Sequence, residues 1–175
     1  MMISANTSKQ MWQTLLPAGI KSPVKRTVLL GIGNELNGDD AAGMQFVRLL
    51  KDNIQNMPAT PAVLMIEGAT APENFTGTIR KFQPELVVMI DAALMGLQSG
   101  EMALIDPDET AGITASTHTF PLSMLASFIK QEMGCQVWLI GIQPEANDQF
   151  TPLSPVVSAA VNDLAEQFIN HIKTP

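Results

Sequence analysis

Four side chains in this sequence have the types and spacing to do chemistry together. Asp39 and Asp40 close the stretch GIGNELNGDD, residues 31–40, which grows out of an apolar run. Asp91 closes another apolar run, ELVVMID, and His118 stands in STHTFPLS just ahead of a helical pattern. Glu67 ends a third apolar run, AVLMIE, and is a secondary candidate beside Asp39. Carboxylate oxygens with one imidazole suit a divalent first-row metal. Catalytic zinc sites more often gather two or three nitrogen or sulfur donors, so zinc would be less typical here. Nickel is allowed by this donor set without being singled out by it.

Each residue also has a structural reading. An aspartate before a helix caps free backbone N–H groups, a contribution of about 1 kcal/mol. With two adjacent aspartates, one can cap while the other does chemistry. Asp91 at the end of an apolar strand is partly desolvated and needs a partner, either a metal or the N–H of a turn. His118 taken alone reads as a surface or capping histidine. The chain has one other histidine, His171, near the polar end of the last helical pattern, so His118 is the candidate if the site needs imidazole.

The elements that must position these groups follow from periodicity. Residues 27–32, 62–67, 85–91, 101–105 and 136–142 are short runs rich in Val, Leu and Ile, the pattern of strands covered on both faces. Residues 41–55, 72–82, 121–133 and 154–173 read as helices, most of them with apolar residues at helical spacing. The alternation predicts an α/β fold, a three-layer α/β/α sandwich around a five-stranded, mainly parallel twisted sheet. No convincing helix joins the third and fourth strands, so the fourth is expected to run antiparallel. Ligands bind beyond the carboxyl ends of such strands, where the candidate carboxylates fall. Residues 1–26 are expected to form an appended arm, and residues 27–175 a single domain.

Composition narrows the function. The chain has 175 residues and a net charge of −7, so it repels phosphate backbones and nucleic acid is not an expected partner. No apolar run is long enough to span a membrane. A single cysteine, Cys135, excludes an internal disulfide and a cysteine metal cluster. It precedes a strand and reads as a packed residue rather than a nucleophile. The glycine loop lacks the third glycine of the dinucleotide pattern, since Leu36 stands there. It also lacks Gly-Lys-Ser/Thr, since Gly38-Asp39-Asp40 replaces it. Two carboxylates at a helix start would repel a phosphate.

GIGNELNGDDAAG, IDAALMGLQSGEMALIDPDE, STHTFPLS and IGIQPE, in this order and spacing, resemble the maturation endopeptidases of nickel–iron hydrogenases. GATAPEN, DPDE and GIQP look most like the branch that processes the hydrogenase-3 large subunit. The resemblance implies a five-stranded α/β/α protease. It would remove a C-terminal extension from the hydrogenase large-subunit precursor once nickel is inserted, with nickel carried by the precursor. The family's metal-binding acid falls on Asp40, its strand-end aspartate on Asp91 and its histidine on His118, with catalytic and metal roles not separable. The family often has Asp-Gly-Gly after the second strand, where this chain has Glu67-Gly68-Ala69. A cytoplasmic monomer is expected. The other readings are a nickel-sensing chaperone that does not cut, a general metal-dependent hydrolase with its own ion, and, last, a nucleotide-binding protein.

Overall fold

The apolar runs become a sheet because both faces of each strand are covered. The structure is a computed structural model and describes residues 3–4, 26–54, 63–107, 114–115 and 121–173. The strands and helices in chain order are β1 (Ile3–Ser4), β2 (Thr27–Ile32), α1 (Ala42–Ile54), β3 (Val63–Ala69), α2 (Thr76–Phe82), β4 (Leu86–Leu94), β5 (Met102–Ile105), β6 (Thr114–Ala115), α3 (Leu122–Met133), β7 (Gln136–Ile142) and α4 (Pro155–Lys173). Five of them form the body of the sheet in the order β5-β7-β4-β2-β3. The pairs β2–β3, β2–β4 and β4–β7 are parallel, while β5 runs antiparallel to β7. The absent helix between the third and fourth strands therefore had the predicted result: without a crossover, β5 returns antiparallel.

Side-chain alternation divides the core into two layers. Leu29, Val88, Ile90, Ile140 and Ile142 pack under α1 and α4, with Phe46, Leu50, Val161 and Leu164. Val28, Leu30, Val87, Met89 and Leu139 pack under α2 and α3, with Ile79, Leu125, Ala126 and Ile129. Phe46 of α1 meets Phe168 of α4 edge to face, with ring centroids 6.2 Å apart, which ties the two helices of the first layer together.

Two short strands extend the sheet beyond what periodicity predicts. Ile3 and Ser4 pair antiparallel with Leu104 and Ala103, covering the open side of β5. Most of the expected arm, residues 5–25, lies outside the described residues. Thr114 and Ala115 pair antiparallel with Leu94 and Ala93 at the end of β4. No helix among the described residues is long and apolar enough to cross a membrane.

Candidate active site

The strand order reverses direction between β2 and β4. From β2 the chain moves outward to β3, and from β4 it moves the other way, to β5 and β7. In open α/β sheets the crevice at the carboxyl ends beside such a reversal receives the ligand. Asp40 lies in the loop after β2, and Asp91 lies near the carboxyl end of β4. The two strands are direct neighbours, with Gly31 opposite Ile90.

Local backbone geometry presses the segment that carries Asp40 against the strand that carries Asp91. Gly33 has φ +131°, and a Cβ there would stand 1.7 Å from the Asp40 carbonyl oxygen. Only glycine permits that close return of the loop upon itself. The 3-10 turn Gly38–Ala41 then runs straight into α1. A Cβ on Gly43 would lie 2.1 Å from the Ile90 carbonyl oxygen, so the first turn of α1 is pressed against β4 one residue before Asp91. Asp91 follows Val87 and Met89 in alternation and so belongs to the face under α2 and α3.

Asp40 is 1% exposed, and Asp39 and Asp91 are buried completely. Asp40 accepts a hydrogen bond from the Asn34 N–H at Oδ2, 3.1 Å. Its Oδ1 is buried and has no hydrogen-bond partner among the described residues. A buried carboxylate oxygen left bare is costly, and such exceptions need an explanation. Among the described residues, one oxygen of Asp40 is held and the other is open to a donor or a cation.

Asp39 has the opposite character. Its Oδ2 accepts from the N–H groups of Glu145 and Ala146, at 2.8 and 3.1 Å, and from the Ser154 hydroxyl at 2.9 Å. Its Oδ1 accepts from the Ser154 N–H at 2.7 Å. The Ser154 hydroxyl in turn accepts from the Val157 N–H, capping α4. Asp39 thus fastens the glycine loop to the loop after β7 and to the start of the last helix. One aspartate of the pair does hold a helix start, but Asp39 serves a distant helix rather than the one that follows it. The 3-10 turn that follows Asn37 has no side-chain cap.

Glu67 is taken up by α1. Its Oε2 lies 2.9 Å from Arg48 Nε, and its Oε1 lies 2.7 Å from Lys51 Nζ. The hydrogen bonds from Lys51 and then Arg48 hold its carboxyl below the usual glutamate range, against a smaller opposing effect of burial. Because the folded value is the lower one, this contribution is full above the unfolded glutamate value of about 4.3. It is lost as pH falls through the folded value. Glu67→Gln should therefore cost up to about 1 kcal/mol at neutral pH, a modest amount because all three groups are partly exposed. The difference from the parent should vanish in acid below the folded value. Urea unfolding at pH 7 and at pH 3.5 measures it, and an unchanged difference at the two values would exclude ionic pairing. At the end of the same strand Ala69 takes φ +49°, at the position where the resembled pattern has its second glycine.

Gln143, in the IGIQPE stretch, is a site-organising residue that sequence reasoning did not single out. It is buried, and its Oε1 accepts from the N–H groups of Met95 and Leu97 at 2.8 and 3.3 Å. It holds the loop that follows Asp91. A buried glutamine after an apolar strand was the available signal, since such a side chain must be bonded. Cys135 is packed and buried, and burial pushes its thiol pKa up, which makes it a poor nucleophile.

β6 places Ala115 beside Ala93, two residues past Asp91 on β4. The chain then continues through Ser116 and Thr117 to His118, which lies outside the described residues. Among the described residues, no group of three or more His, Cys, Asp or Glu side chains could hold a metal ion.

The sheet order, the two buried aspartates and the glycine loop define an α/β protein with a candidate site at the carboxyl ends of its central strands, and comparison with known proteins gives it a family. The profile of the hydrogenase maturation protease family HycI matches residues 44–171, and the chain belongs to that family. It is 36% identical over 141 residues to the hydrogenase 3 maturation protease of Escherichia coli K12, covering 80% of this chain and 86% of the relative. Its fold resembles the crystal structure of the [NiFe] hydrogenase maturation protease HycI from Thermococcus kodakarensis KOD1. That match has a TM-score of 0.77 at 35% identity, over 92% of this chain and 99% of the other. The solution structure of the endopeptidase HycI from Escherichia coli matches with a TM-score of 0.68 at 33% identity, over 80% and 86%. The protein is a peptidase of this family.

Proposed function

We propose that this protein removes the C-terminal extension of a [NiFe]-hydrogenase large-subunit precursor after nickel insertion, and that nickel carried by the precursor is its recognition element. The observation that carries this reading is the buried Oδ1 of Asp40, which has no partner among the described residues, in the loop after β2 and beside the strand that carries Asp91. Asp40 and Asp91, with His118, would meet the precursor's metal and fix the adjacent peptide bond in place. A metal so placed supplies Lewis-acid polarisation of a carbonyl or water. The chain needs no complete cage of its own in this scheme, because the remaining ligands stay with the substrate. Selectivity follows from the same point: an empty precursor lacks the ion that joins it to the site.

Support for His118 as the third group comes from β6, which aligns the chain just ahead of it with the end of β4. Intact mass spectrometry of the precursor, with and without nickel, tests the reading. Release of a short C-terminal peptide only from the nickel-loaded form is the expected result. Cleavage of both forms would remove nickel as the recognition element, and binding without cleavage would make the protein a chaperone. Stoichiometric metal in the purified protein, with cleavage of unrelated peptides, would make it a general hydrolase.

A further inference from the structure

Two loops and the end of β4 lie at the carboxyl end of the sheet, and each presents an apolar side chain to solvent. Leu36 of the glycine loop is 55% exposed, Leu94 at the end of β4 is 53% exposed, and Phe150 in the loop after β7 is 80% exposed. The three segments are bound into one unit. Asp39 fastens the first to the third, Gln143 fastens the third to the segment after β4, and the Phe150 N–H donates to the Leu36 carbonyl oxygen.

Phe150 carries two local costs at once. Its large ring is turned to water, and its backbone takes φ +60°, a region that bulky residues rarely adopt. Strain and exposed apolar surface together at a rim that is otherwise well bonded call for a functional reason. We infer that Leu36, Phe150 and Leu94 form an apolar rim that docks the large-subunit precursor beside the site of cleavage. Leu36 stands on the loop that carries Asp40, and Leu94 stands on the strand that carries Asp91, so the rim belongs to the same end of the sheet as the proposed site. The exposed carboxylates Glu145 and Asp148 stand on the Phe150 loop. The complementary surface is therefore an apolar patch of the precursor bordered by Lys or Arg side chains.

This inference rests on the reading of the cleft as the place that meets the precursor. The test uses the double variant Leu36→Ser/Phe150→Gly and the full-length, nickel-loaded precursor encoded by the same organism. Glycine relieves the backbone at residue 150, so a merely structural loop should melt no earlier than the parent. The expected result is an unchanged melting temperature, a dissociation constant and KM raised about tenfold to a hundredfold, and an unchanged kcat. If the parent protein cleaves and the variant's KM stays within about twofold, the rim falls and the protease reading stands. If the parent binds without cleaving and the variant loses binding, the rim stands and the protease reading falls. If the parent neither binds nor cleaves, both fall.

Discussion

Asp40→Asn should abolish cleavage while leaving the protein at least as stable as before. Asparagine matches aspartate in shape and keeps an oxygen to accept the Asn34 N–H. What it loses is the charge, and with it the anionic oxygen that has no partner among the described residues. In the proposed scheme, contact with a Lewis-acidic ion would contribute several kcal/mol at the transition state, so its loss should lower kcat/KM by more than about a thousandfold. The folded chain meanwhile sheds a buried, half-satisfied carboxylate, which is unfavourable to keep. The melting temperature should therefore hold within about 3 °C of the parent or rise. Loss of activity with equal or greater stability marks a group retained for function rather than for folding. Asp91→Asn should show the same loss of activity. Cleavage at the parent rate by either variant, followed by intact mass, would remove these carboxylates from the mechanism.

Asp39→Ala should fail in the opposite way. Its carboxylate accepts four hydrogen bonds, from Glu145, Ala146 and, twice, Ser154. Hydrogen bonds to a charged group contribute about 1.5–3 kcal/mol each, though not additively. The residues that follow, from Glu145 to Pro152, are exposed, so water can recover part of the loss. A destabilisation of about 3 kcal/mol is expected in urea at pH 7. Asp39→Asn should recover part of it by keeping one acceptor oxygen. Cleavage should also weaken in the alanine variant, because the residue that slackens is covalently next to Asp40. A cost below about 0.5 kcal/mol, the range of a featureless surface change, would show that the clamp holds nothing.

The sheet was readable from sequence because its strands are covered on both faces, which turns each into an unbroken apolar run. The antiparallel course of β5 was readable from the missing crossover helix. β1 and β6 were not, since two residues cannot display a period. That Asp40 follows β2 and that Asp91 lies towards the carboxyl end of its strand was readable for the same reason as the strands themselves, but β4 runs on to Leu94, past the strand end expected at Asp91. The work of Asp39 was not, because its partners stand more than a hundred residues later in the chain. Glu67 is a similar case: its ion pairs with Arg48 and Lys51 depend on how α1 lies over β3. The exposure of Leu36 and Phe150 was not readable, because a single apolar residue in a loop carries no pattern. The assignment of His118 rests on the resemblance, since that residue lies outside the described ones.

The join between residue 39 and the start of the last helix also bears on synthesis and turnover. Ser154, which supplies two of the four donors that fasten the loop carrying Asp40, is made more than a hundred residues after that loop. A chain broken off or clipped before that serine has no means of completing the fastening. Termination ahead of residue 154 therefore yields a fragment whose Asp39 clamp is unlatched, so that the loop is secured only after synthesis has passed the start of the last helix.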